Sequence, residues 1–258
     1  MEIRIATNEV VRAYLERPWP KAKPFRPASR INMIASFDGR INIAQEEGAP
    51  AEKGLGSNLD RYLMQVLRSR ADMVLVGAET LRRSNFQPLV TRPELASLRA
   101  KEGLSTQPIG AIITRKALDL PLENPFFTSP DFEAVIFVSD AAPKASIKLL
   151  KATERETVVF PDGDFKFIAK AIRTQFGVER LLIEGGPIIN DRLLKAALVD
   201  EIYQTLTYKI VSGTSEEGIK SMTEGTGLKA SEAKKLSPIS LFYVPETNEL
   251  FQSVRVES

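Results

Sequence analysis

The sequence predicts an α/β fold with a mainly parallel central sheet, an antiparallel edge and helices on both faces. Three observations carry this. Apolar runs of strand length at residues 109–114, 134–139, 157–160 and 181–184 alternate with helical patterns at 143–151, 165–176 and 187–197. Two buried runs end in glycine and pass directly into a helix, at Gly77 and at Gly185-Gly186-Pro187. The last two strand patterns, residues 239–244 and 250–256, have no helical crossover between them, so they pair antiparallel.

In order, residues 7–17 read as a helix capped by Thr7 or Asn8, with Val10, Val11, Tyr14 and Leu15 on one face. Pro18, Pro20, Pro24 and Pro27 then exclude helix and central strand, leaving an extended arm expected to be anchored by Trp19 and Phe25. Residues 31–37 are the first core strand. Asp38-Gly39-Arg40 is a hairpin signal leading to the short segment 41–43, with Asp38 either bonding its own turn or facing a ligand. Residues 48–56 form a polar, Gly-rich loop expected over a site, and Gly54-Leu55-Gly56 lacks the third glycine of a dinucleotide fingerprint. Ser57 or Asn58 caps a helix over 59–70 whose stripe is Leu59, Leu63, Val66 and Leu67, leaving Arg61, Arg68 and Arg70 on other faces, where solvation is the ordinary state. Residues 72–77 are a buried strand, Ala78 opens the next helix, 201–210 is a further strand, and 212–227 is a long polar loop.

The whole chain, residues 1–258, reads as a single domain in which residues 1–27 are an N-terminal helix and Pro-rich arm. A net charge of +2 with 26% charged residues gives no sign of a nucleic-acid surface. There is no cysteine and no histidine, which excludes disulfides, Cys/His zinc sites, Ser-His-Asp triads and the zinc deaminase signature. Acid–base chemistry must therefore use carboxylates, Lys, Tyr, water or the ligand itself. Met1-Glu2-Ile3-Arg4 opens without an apolar signal core, and no apolar run approaches the roughly 18 residues that span a bilayer, so the expectation is a cytoplasmic protein without a membrane partner.

The stretch with most chemistry is Leu181-Leu182-Ile183-Glu184-Gly185-Gly186-Pro187. Pro187 suits a first helical position, the glycines permit positive φ and close ligand approach, and the helix start attracts anions. The alternative is a merely tight strand-to-helix turn. Glu184 argues for a site, because an apolar strand seldom ends in a carboxylate that is neither solvated, paired nor in use.

Asn32-Met33-Ile34-Ala35-Ser36-Phe37-Asp38-Gly39, then Leu67-Arg68-Ser69-Arg70-Ala71-Asp72-Met73-Val74-Leu75-Val76-Gly77-Ala78-Glu79-Thr80, then Ile183-Glu184-Gly185-Gly186-Pro187 resemble, in order, three motifs of the riboflavin-biosynthesis pyrimidine reductases. The resemblance spans about residues 28–212. It implies a dihydrofolate-reductase-like fold, NADPH as cofactor, a homodimer, and reduction of the ribosyl side chain of a phosphorylated pyrimidine, 5-amino-6-(5-phosphoribosylamino)uracil or its 2,5-diaminopyrimidinone analogue, to ribityl. No deaminase half is expected, as the missing His and Cys require. Carried over by position, Gly77, Thr80, Gly185, Gly186 and Pro187 line the cofactor site. Glu184 and Asp38 are the catalytic candidates, and Asn32, Ser57, Arg68 and Asn85 stand near the substrate, with Arg68 on its phosphate. Thr114, Arg115 and Lys116, just past a strand end, are candidates for the adenosine 2′-phosphate or simply a solvated loop. Two departures stand out: Asn32 replaces the Lys usual in bifunctional relatives, and Arg83-Ser84-Asn85-Phe86 replaces their Asp-Asp-Pro-like segment. The competing readings are a reductase of dihydrofolate or another pterin, and a non-catalytic nucleotide-binding protein.

Overall fold

In the computed structural model, residues 7–43 and 54–257 are described; the expectations for Met1-Glu2-Ile3-Arg4 and for positions 48–53 of the Gly-rich loop lie outside them. The elements are α1 (Thr7–Glu16), β1 (Ala28–Ser36), α2 (Asn58–Ser69), β2 (Met73–Gly77), α3 (Ala78–Arg83), α4 (Pro93–Lys101), β3 (Ile109–Thr114), α5 (Pro125–Thr128), β4 (Ala134–Ser139), α6 (Lys144–Lys151), β5 (Glu156–Phe160), α7 (Phe165–Thr174), β6 (Arg180–Ile183), α8 (Pro187–Lys195), β7 (Glu201–Thr207), β8 (Leu236–Val244) and β9 (Glu249–Val256). They build one nine-stranded sheet in the order β5-β4-β3-β2-β6-β1-β7-β9-β8. Strands β1 to β7 run parallel, and β9 and β8 complete the edge antiparallel, as the sequence pattern requires.

Side chains alternate across the sheet, and each face buries its own core. Val74, Val76, Leu182, Tyr203 and Phe251 pack with Val10, Tyr14, Leu59, Leu63, Val66 and Leu67 of α1 and α2. Ile31, Leu75, Ile183 and Ile202 face Ile168, Ile172, Ile189 and Leu193 of α7 and α8. Because all seven parallel strands point the same way, their C-terminal ends share one edge of the sheet. The strand order doubles back there, with β6 inserted between β2 and β1, the arrangement at which open α/β sheets take up ligands beyond the strand ends.

Several local expectations change. Trp19 does anchor the arm, lying 4.2 Å from the Arg30 guanidinium, whereas Phe25 is 65% exposed with Lys170 Nζ 5.7 Å from its ring. The Asp-Gly turn forms, with Gly39 at φ +81° and its N–H on the Ser36 carbonyl at 2.8 Å. The segment after it pairs with the long loop instead of folding back on β1: the Ile41 N–H donates to the Lys220 carbonyl at 2.9 Å, and Arg40 bridges Ser221. The strand expected to reach 210 ends at Thr207. Helix α4 gave no sequence signal because Leu95 is its one buried apolar residue. Its Arg99, buried, instead donates Nη1 to the carbonyls of Arg68 and Ala71 and so caps the end of α2.

Candidate active site

The turn from β6 into α8 must leave a buried strand and enter a helix within three residues. Gly185 at φ +103° and Gly186 at φ +68° occupy the left-handed region that side chains avoid. Gly186 is the N-cap of α8 and has no side chain to satisfy the first N–H groups, while Pro187, in the first turn, has no N–H to offer. Gly77 lies alongside, donating its N–H to the Gly185 carbonyl at 2.9 Å. Its φ of −81° is ordinary, so glycine serves packing here: a Cβ would meet Ile189 Cδ1 at 3.1 Å. A Cβ on Gly186 would find Gly77 Cα at 4.0 Å as its nearest neighbour. The two turns together present a strip of bare backbone with free helix N–H groups, a surface that fits a pyrophosphate. Thr80 is half-buried in the first turn of α3, and its backbone carbonyl accepts the Ser84 N–H at 2.9 Å.

One strand further along, Thr114 is buried and its Oγ1 accepts the Ala117 N–H at 3.0 Å, which commits that oxygen to the turn. Arg115 is exposed and forks onto Asp162 at 2.7 and 2.9 Å. Lys116 is exposed.

On the other side of the crevice, β6 places Glu184 on the same face as Leu182, toward α2. Arg68 clamps it with Nε to Oε1 at 2.6 Å and Nη2 to Oε2 at 2.5 Å, and sends Nη1 to the Gln87 carbonyl at 3.0 Å. Both side chains are about a tenth exposed, so the pair is desolvated and the expectation of a solvated Arg68 is corrected. All three guanidinium nitrogens are engaged; reaching a phosphate would mean releasing a partner. Ile31 pairs with Ile183, which sets Asn32, half-buried, beside Glu184 one step on.

Asp38 is fully exposed and builds a joint between the β1 turn and the chain after β7. It accepts from Ser36 Oγ at 2.5 Å and from the N–H groups of Ser212 at 2.7 Å and Val211 at 3.2 Å. The Ser36 hydroxyl and the Ser212 amide together lower its carboxyl to about 2. Asn85 is exposed and accepts from Asn124 at 3.3 Å. Ser57 caps α2, accepting the Asp60 N–H at 3.2 Å, and gives both its N–H (2.9 Å) and its hydroxyl (2.5 Å) to Glu249.

Two groups escaped the sequence reading. Glu249 is 1% exposed on β9, 192 residues from the serine it holds. Burial first, then the neighbouring carboxylates of Glu249 and Glu184, push Asp60 up to about 6. The pattern Ser57-Asn58-Leu59-Asp60 is itself a capping-box signature, so local reasoning assigns Asp60 to the cap. The structure withdraws that duty, because the Ser57 N–H is taken by Glu249.

A family model described as the RibD C-terminal domain matches residues 27–239. The 2,5-diamino-6-ribosylamino-4(3H)-pyrimidinone 5′-phosphate reductase of Aquifex aeolicus is 28% identical over 211 residues, covering 79% of this chain and 85% of that protein. The protein of the same name from Archaeoglobus fulgidus is 26% identical over 178 residues, 69% of this chain and 78% of its own length. Among solved structures, a pyrimidine reductase-like protein from Corynebacterium diphtheriae superposes with a TM-score of 0.74 at 20% identity, over 98% of this chain and 100% of the other, which shows a shared fold.

Proposed function

Because the chain belongs to the RibD C-terminal domain family, we propose that it is an NADPH-dependent reductase of riboflavin biosynthesis. Its substrate on this reading is 5-amino-6-(5-phosphoribosylamino)uracil or the 2,5-diaminopyrimidinone analogue, whose ribosyl side chain is reduced to ribityl. The observation that carries the reading is the joined pair of turns at Gly77 and Gly185-Gly186, bare backbone at the point where the strand order doubles back. The backbone of Gly77, Gly185 and Gly186 at the start of α8, with Thr80, would hold the cofactor pyrophosphate, and the residues just past β3 would hold its adenosine. Arg115 would take the 2′-phosphate by exchanging Asp162, an exposed partner that is cheaply given up. When bound, the reduced nicotinamide supplies a hydride to C1′ of the substrate.

The chain's own residues hold the pyrimidine. Glu184, fixed by Arg68, offers acceptor lone pairs to a ring N–H or a ribose hydroxyl, and Asn32 beside it offers both donor and acceptor. We assign Arg68 to orienting Glu184, Asp38 to the joint that shapes the mouth, and Ser57 and Asn85 to its rim. The same reading implies a cytoplasmic homodimer, for which β8 offers an outer edge strand with Leu236 and Leu241 exposed. Loss of NADPH fluorescence with either pyrimidine and none with dihydrofolate is the expected outcome; oxidation driven by dihydrofolate alone overturns the proposal.

A further inference from the structure

Resting on the reductase reading above, we propose that Asp60 is the general acid that opens the ribose ring of the substrate. Its position is set by three elements. Asp60 lies in the first turn of α2, where a Cβ on Gly56 would come within 2.3 Å of its Oδ2 and 3.1 Å of Ile34 Cδ1. Glycine at 56 thus leaves room for the carboxyl, which lies over β1 at Ile34. Ile34 is two residues along the strand from Asn32, hence on the same face, and opposite Thr205 of β7. Glu184 stands on the other flank of β1, just past the end of β6. Asp60 and Glu184 therefore bracket one strip of β1 from its two sides.

The fold makes little use of this carboxyl. Its capping partner is occupied by Glu249, and among the described residues no Lys or Arg forms an ion pair with it. Arg61, next in the helix, turns to the Gly56 carbonyl at 3.1 Å and Asn58 Oδ1 at 2.6 Å. The charged and titratable groups around it are Glu249 on β9, Glu184 just past β6, Arg61 on α2 and Tyr14 on α1. Burial and the two glutamates outweigh Arg61 and favour the protonated acid.

The reaction needs such a group. In the closed sugar, C1′ carries both the ring oxygen and the exocyclic nitrogen. Asp60 gives its proton to the ring oxygen as the C1′–O4′ bond breaks, and the nitrogen lone pair forms the C1′=N bond of an iminium. The hydride from the dinucleotide adds at C1′, and the C=N electron pair returns to nitrogen. One proton and one hydride are consumed, the dinucleotide is oxidised, and the Asp60 carboxylate recovers its proton from water.

The test compares wild type with Asp60→Asn, whose amide keeps the shape and has no acidic proton. Wild-type kcat/KM is expected to fall as pH rises through about 6, and Asp60→Asn to lose about a hundredfold together with that limb. With 4-deuterated NADPH, the primary isotope effect should shrink in the variant as ring opening becomes limiting. Thermal unfolding gives a readout independent of turnover. A carboxyl with a raised pKa costs stability once ionised, so Asp60→Asn should melt higher than wild type near pH 8 and gain less near pH 5. A wild type active on either pyrimidine but lacking the limb near pH 6 overturns the assignment of Asp60, as does a variant within about threefold of wild-type rate. A wild type inactive on both pyrimidines overturns the reductase reading itself.

Discussion

Two halves of the same strand-end crevice are built from different materials. Around Gly77, Gly185 and Gly186 the surface is backbone, shaped by two positive φ values and one close approach to Ile189. Around Glu184, Asp60 and Asp38 it is carboxyl groups, of which Glu184 and Asp38 are held by partners from elsewhere in the chain. The backbone half answers to local sequence, since a glycine is needed where a side chain cannot go. The carboxylate half depends on tertiary pairing and so carries its largest energies in single ion pairs.

The largest effect expected from this contrast is at Arg68. Replacing it with Met leaves Glu184 desolvated and uncompensated, which should cost about 3 kcal/mol of unfolding free energy. Combining it with Glu184→Met should restore most of that loss while activity stays low. Denaturant unfolding of the single and double variants checks this, and equal destabilisation by both would mean that the pair is not the source.

Next in size is Gly186→Asp in the backbone half. A left-handed non-glycine residue and an added negative charge at the start of α8 should together weaken NADPH binding by about 2 kcal/mol, roughly thirtyfold, with the fold retained. Fluorescence titration of the nucleotide measures it. Unchanged affinity in a folded variant would make the turn purely structural and dissolve the contrast.

The smallest effect is at Asp38. Its folded carboxyl is lowered to about 2, so its contribution to the joint with Ser212 is complete above the ordinary carboxylate range and is lost as pH falls from about 4 through 2. Amide exchange at Ser212 should accelerate over that window, and Asp38→Asn should exchange fast throughout.

The same contrast explains what could be read in advance. Parallel strands, their helices, the antiparallel edge and the glycine turns follow from period, length and glycine placement, all of which are local. Arg68 and Glu184 lie 116 residues apart, and nothing on α2 distinguishes an arginine that will be buried from one that will be solvated. Asp60 was hidden differently. Its spacing from Ser57 already had a sufficient local explanation in the capping box, which a glutamate on β9 displaces. The segment 41–43 pairs with the irregular stretch at 218–221, whose register no periodicity reveals.

The most direct test of the central claim is to follow the label. Incubating the protein with the phosphoribosylaminopyrimidine and NADPH deuterated at the transferable C4 position, then fragmenting the product by mass spectrometry, reports where the hydride lands. The expected result is a ribityl product carrying one deuterium at C1′. NADPH oxidised without label on the sugar chain, or an unreduced ribosyl substrate recovered from a protein that binds NADPH, would contradict it.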